Sequence, residues 1–226
     1  MNLSQFNLTI AQMLDYMTPI LFAGLCGVLS ENSGVVNIGL DGTMRFGAFF
    51  ALVGTYFSGS PWIGLLVGIG VGCLLGALHA FITIKWNGDQ TVAGTAMNVI
   101  ATGLMTYLLE YIFSTTGYSP QVEHYFGEQA YRVHLPFLAG IPVLGALSNL
   151  SFIIWLGFIC TILVHVLLYH TVLGLRIRTC GENPKAATSL GLDVFRIRWL
   201  SVIVGAALAG IGGAALSISS FSMFSD

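Results

Sequence analysis

Four stretches of this sequence, 62–84, 91–109, 150–169 and 199–221, contain no Asp, Glu, Lys or Arg. A helix needs about 20 mostly apolar residues to cross the hydrocarbon core of a bilayer, and each stretch is of that order. A soluble fold would have to hide all four behind a charged surface, which this chain does not have. Only 8% of its 226 residues are charged and 55% are hydrophobic, whereas soluble domains carry roughly 25% charged residues. The sequence therefore reads as an all-α, polytopic helical membrane protein, with 1–226 forming a single transmembrane domain.

Two shorter apolar segments precede these, 16–30 and 46–57, which brings the expected number of membrane segments to about six. Ser58-Gly59-Ser60-Pro61 separates the second from the third as a turn. Residues 2–13 lack the basic start and small-residue cleavage site of a signal peptide and read as a short interfacial segment. Orientation follows from the basic residues. Arg45, Lys85, Arg176, Arg178, Lys185, Arg196 and Arg198 share one side if alternate loops do, and Arg132 alone falls on the other. The cytoplasmic loops are then 31–45, 85–90 and 170–198, with the N-terminus, the 114–149 loop and the chain end outside.

Gly64, Gly68, Gly72 and Gly76 form a stripe of small residues, as do Gly205, Ala209 and Gly213. Such stripes let helix backbones approach closely in lipid, either within the bundle or across a dimer seam. The net charge of −2 gives no reason to expect a nucleic-acid partner. No phosphate-binding loop, HExxH or GxSxG is present, and Cys26, Cys73, Cys160 and Cys180 form no CxxC pair. His124, His134, His165 and His170 are isolated. No catalytic residue, metal ligand or cofactor site is expected.

Polar chemistry gathers in three places. In SENSGVVNIGLDGTMR (30–45), Asn37 and Asp41 would share a face if helical. Glycines at 34, 39 and 42 suggest a broken transporter helix, although a capped turn explains the same residues. In DQTVAGTAMN (89–98), Asn98 lies about two turns into a span, where an amide needs a partner. The 170–198 loop is longer than a connection requires. It reads as two short helices broken at Gly181-Glu182-Asn183-Pro184, the second near 185–190, with an exit at Gly191. That construction suits docking to a soluble partner.

GLRIRTCGENPKAATSLGLDVFRIRWLSVIVGAALAGIGGA resembles the coupling loop and following helix of ABC-transporter permeases in the branched-chain amino acid and simple-sugar uptake superfamily. ENSGVVNIGLDGTM and DQTVAGTAMNVIATGL are similar to stretches of its nucleoside-uptake subfamily, which works with basic-membrane-protein-type binding proteins. The resemblance implies a second permease subunit, a cytoplasmic ATP-binding-cassette subunit that supplies the ATP hydrolysis, and an extracytoplasmic solute-binding lipoprotein at a prokaryotic cell membrane. It implies that Gly181, Glu182, Pro184, Ala186, Ala187 and Gly191 contact the ATPase, and that Asn37, Asp41 and Asn98 lie along the solute path. It also implies that the chain is C-terminally truncated.

Competing readings are an ion-coupled secondary transporter or channel, and an inactive fragment of such a permease. The first calls for an intramembrane charge, and the sequence offers only Glu110 near a span end and Asp41 in the break. An intramembrane enzyme would need a paired nucleophile and base, which are not found.

Overall fold

The computed structural model describes residues 3–115, 117–120, 132–134, 149–220 and 223–224. The described residues form eight α-helices: α1 (Leu3–Asn32), α2 (Leu40–Ser58), α3 (Pro61–Ala80), α4 (Gln90–Phe113), α5 (Phe152–His170), α6 (Val172–Glu182), α7 (Pro184–Ser189) and α8 (Val194–Ala214). Wider π-type turns extend α3 through Phe81–Lys85 and α8 through Ala215–Ser220. One short antiparallel pair, β1 (Arg132–His134) with β2 (Asn149–Ser151), leads into α5 and is a local exception to the all-α reading. The rest of the expected 114–149 loop lies largely outside the described residues.

Among the described residues each of the six expected segments is helical for most of its length, and five of the helices are long and apolar enough to cross a membrane. The exception, α2, is 19 residues long, but its first two turns carry Asp41 and Arg45, which dilute its apolar character. The expected interfacial segment at 2–13 is not a separate element. No Gly or Pro interrupts the chain before Pro19, and α1 runs unbroken from Leu3 through Pro19 to Asn32.

Helix α8 is the axis of the bundle: 78% of its most apolar window is buried, against 22–39% for the other spans. Small residues make this possible, because lipid offers no hydrophobic drive between helices and close backbone contact takes its place. Gly72 of α3 lies against the Ala206 carbonyl of α8, and Gly210 of α8 lies against the Gly68 carbonyl of α3. On other faces of α8, Gly205 meets Cys26 of α1 and Gly213 meets Met44 of α2. Both small-residue stripes are thus engaged inside the subunit. Phe22, Leu29, Leu65, Ile153, Leu168 and Ile218 fill the core where α1, α3, α5 and α8 meet. A second core, with Phe49, Leu52, Leu75, Met105 and Leu109, joins α2, α3 and α4.

The turns sort to two ends. At one end Trp62 packs on Phe152, Tyr56 on Phe113, and Ser119 exchanges hydrogen bonds with Phe224. At the other, the 33–39 break, the 86–89 turn and the α6–α7 hairpin lie together. Of the eight Lys and Arg residues in the chain, all except Arg132 belong to the segments at this second end.

Candidate functional site

The second end is built from helix termini. Helix α1 stops where Gly34 takes φ +84°, a backbone conformation that side-chain-bearing residues rarely adopt. The chain then runs without regular structure to Gly39, where α2 begins with no side-chain cap of its own. The first N–H groups of a helix have no partner within it, and here α4 provides one. Asn98 Oδ1 accepts from the Gly42 N–H at 2.8 Å, while its Nδ2 donates to the Ile38 carbonyl at 3.1 Å. Gln90 Oε1 accepts from the Val36 N–H at 2.7 Å. The approach is close: a Cβ on Gly94 would sit 2.7 Å from the Gly39 nitrogen. The break is therefore held as one defined conformation along α4.

Asn37 is buried, and its Oδ1 accepts from the Gly39 N–H at 3.1 Å. Asp41 lies in the first turn of α2, is largely exposed and pairs with Arg45 at 3.1 Å. Arg45 also reaches Thr102 of α4 at 3.4 Å. Asn37 and Asp41 do not share a helical face, because Asn37 precedes the helix. The amides of Asn37 and Asn98 are engaged with backbone; the carboxylate of Asp41 is engaged with a cation.

The hairpin opposite the break starts from Thr171, whose hydroxyl accepts from the Gly174 N–H. Gly174 allows α6 to fold back over the end of α5, since a Cβ there would strike the Leu167 and Leu168 carbonyls. Gly181 and Glu182 are still helical, so the expected four-residue break narrows to Asn183, whose Oδ1 accepts from the Ala186 N–H and starts α7. Pro184 occupies the first turn of α7, and Gly191, at φ +79°, follows its end. Ala187 is fully buried and Gly181 packs on the Asn32 carbonyl, whereas Glu182, Ala186 and Leu190 are exposed. A polar cleft of about 270 Å³ opens beside Gly181, lined by Glu31, Asn32, Arg178 and Glu182.

Arg198, in the second turn of α8, lies between the two halves. Its Nε donates to the Ser33 carbonyl at 2.9 Å and its Nη2 to the Cys180 carbonyl at 3.1 Å. Both carbonyls are at helix C-termini, where partners are missing and the helix dipole favours a cation. Burial pushes the Cys180 thiol above its usual range, and the Arg198 charge opposes that shift. In the sequence Arg198 looks like its neighbour Arg196. The difference is that Arg196 pairs locally with Asp193 at 2.9 Å, at the exposed start of α8. Gln90 lies in the 89–98 stretch, but nothing in the sequence marks it as the partner of Val36.

The three polar stretches singled out in the sequence thus meet at one end of the bundle. Residues 9–225 match the family described as branched-chain amino acid transport system / permease component. The chain belongs to this permease family. It is 37% identical over 213 residues to the nucleoside ABC transporter permease protein NupC of Lactococcus lactis, covering 91% of this chain and 65% of that relative. It is 35% identical over 208 residues to the guanosine ABC transporter permease protein NupQ of Bacillus subtilis, covering 88% and 64%. A glucose ABC transporter permease protein, TsgB13 of Haloferax volcanii, is 28% identical over 225 residues, covering 94% and 57%. The chain therefore spans less than two thirds of the length of these relatives. No solved structure gives a significant match. As a permease-family member with five helices of membrane-crossing length, it is a multi-pass membrane protein. Among the described residues, no three His, Cys, Asp or Glu side chains converge on a point.

Proposed function

We propose that this chain is the membrane-spanning permease subunit of an ATP-binding-cassette importer for nucleosides in a prokaryotic plasma membrane. The observation that carries the reading is the convergence of the α6–α7 hairpin and the 33–39 break at the basic end of the bundle. Basic residues favour the cytoplasmic side, so the hairpin faces the compartment that holds ATP. The nucleoside assignment rests on the two relatives named for nucleoside and guanosine transport.

A cytoplasmic ATPase docks on α7, where Ala186 and Leu190 form the outward apolar face and Glu182 and Lys185 its polar rim. Pro184 and Gly191 fix the ends of that helix, while Gly181 and Ala187 seat it on the bundle. ATP hydrolysis belongs to that partner. A second permease subunit completes the pathway, and an extracytoplasmic lipoprotein delivers the solute to the opposite end. Asn37, Asp41 and Asn98 sit at the inner end of the path, the two amides acting by shaping the backbone that borders it.

The test is uptake of radiolabelled guanosine by cells that lack their own nucleoside transport and express the chain with its partner subunits. ATP-dependent uptake that excess adenosine competes and excess glucose does not is the expected result. Competition by glucose alone would reassign the solute. Uptake that persists without the ATPase and collapses with an ionophore would replace the reading with an ion-coupled carrier.

A further inference from the structure

Movement at a docking helix is useful only if something stiff connects it to the solute path, and one side chain makes that connection here. Helices α1 and α6 both end at this place, each presenting carbonyls that its own backbone cannot satisfy. The guanidinium of Arg198 is a planar fork of fixed geometry. It takes one carbonyl from each helix end, Ser33 at 2.9 Å and Cys180 at 3.1 Å. Ser33 and Cys180 are themselves fully buried and Arg198 is half-buried, so both bonds are partly shielded from water.

The backbones around the fork leave it no room to slip. A Cβ on Gly34 would lie 2.7 Å from Arg198 Nη2 and 3.0 Å from the Gly181 Cα. A Cβ on Gly181 would run into the Asn32 carbonyl. From Ser33 the chain reaches Val36, held by Gln90, and then Ile38 and Gly42, held by Asn98. An unbroken series of short contacts therefore leads from α7 through α6 to the N-terminus of α2.

We propose that Arg198 is the positioning residue that transmits displacement of the α6–α7 hairpin to the 33–39 break, by holding the C-termini of α1 and α6 as one unit. The inference rests on the permease reading given above. Without the fork, only the Gly181 packing against Asn32 and Gly34 joins α6 to the break. With no hydrogen bond left to lock them, hydrolysis continues while the solute path follows it poorly. A residue that served stability alone would lower the amount of assembled transporter, and would lower hydrolysis and uptake together.

The experiment uses the complete transporter, with all its subunits, in proteoliposomes at matched amounts of assembled complex. Arg198→Gln, Arg198→Lys and Arg196→Gln are compared with the natural chain for guanosine taken up per ATP hydrolysed. Arg198→Gln is expected to keep ATP hydrolysis and lose about tenfold or more of the uptake per ATP, since hydrogen bonds to a charged group are lost. Arg198→Lys keeps the charge without the fork and recovers part of the ratio. Arg196→Gln leaves it unchanged. Hydrogen exchange at the amides of residues 35–42, with and without ATP, supplies a second reading: the nucleotide response seen in the natural chain disappears in Arg198→Gln. If Arg198→Gln does not assemble, Arg198→Lys carries the comparison. An unchanged ratio with an unchanged nucleotide response overturns the proposal and leaves the permease reading standing. If the natural chain recovers no ATPase, the permease reading falls and the proposal falls with it.

Discussion

Asn98 caps a helix to which it does not belong: from α4, its Oδ1 accepts the Gly42 N–H of α2 at 2.8 Å. The same amide donates to the Ile38 carbonyl at 3.1 Å, so one side chain fixes both sides of the point where α2 begins. An intramembrane amide that would be costly alone becomes a joint between elements 56 residues apart.

Replacing that amide separates its two roles. Asn98→Ala leaves the Gly42 N–H and the Ile38 carbonyl without their partner, a loss of about 1–3 kcal/mol. Asn98→Asp keeps an acceptor for Gly42 but no donor for Ile38 and is expected to fall between Ala and the natural residue. Thermal unfolding in detergent, followed by loss of monodisperse protein, provides the order. Equal stability of all three proteins would show that the joint contributes nothing.

Two nearby glycines of α3 should respond oppositely to the same change. Gly72 faces the Ala206 carbonyl of α8, whereas Gly70 has open space where a Cβ would go. Gly72→Ala forces α3 and α8 apart and is expected to lower the melting temperature markedly. Gly70→Ala is expected to be neutral or mildly stabilising, because Gly costs about 1 kcal/mol relative to Ala in a helix. Similar losses at both positions would contradict the α3–α8 contact.

The docking face can be probed at Leu190, which is 75% exposed just after α7. Leu190→Asp places a carboxylate in an apolar contact and is expected to reduce co-purification of the ATPase at least about tenfold. Because the Leu190 side chain is exposed and lies outside the packed core, the melting temperature of the isolated subunit stays within about 1 °C of the natural chain. Ala187→Arg is not an equivalent test, since Ala187 is fully buried and its replacement would disturb the hairpin itself. Undiminished recovery of the ATPase with Leu190→Asp would move the docking surface elsewhere.

Sidedness has a direct readout. In a background without the four free cysteines, a cysteine at Ser189 should react with a membrane-impermeant maleimide only after the cells are opened. One at Tyr118, which is 62% exposed at the other end of the bundle, should react in intact cells. The reverse pattern would invert the molecule and remove the docking face from the side that holds ATP.

Features decided by neighbouring residues were legible in the sequence. Pro184 and Gly191 bracket α7 because a proline favours a helix start and a left-handed glycine a stop, and the four charge-free runs became spans for want of any alternative. Features decided across the fold were not. Arg196 and Arg198 are the same residue two positions apart, and only packing turns one to solvent and the other to two carbonyls. Asn98 could be seen to need a partner but not to have Gly42 and Ile38. The start of α1 is not legible in the same way, because hydropathy alone cannot tell an interfacial helix from the first turns of a span. Its continuity depends on the absence of a breaker before Pro19.

The place of α8 at the axis of the bundle has a consequence for the order of biosynthesis. The ribosome delivers α1, α2 and α3 long before residues 194–214, yet each of these early helices has a face fitted to α8. Those faces are open to lipid until α8 is made. The α2, α3 and α4 helices share a core of their own and can pack first. Insertion and full compaction are therefore separate events in time, and the second is complete only once α8 arrives. A substitution at Gly210 would then leave synthesis and insertion untouched, and its damage would first register as a subunit that spans the membrane but remains open to proteolysis.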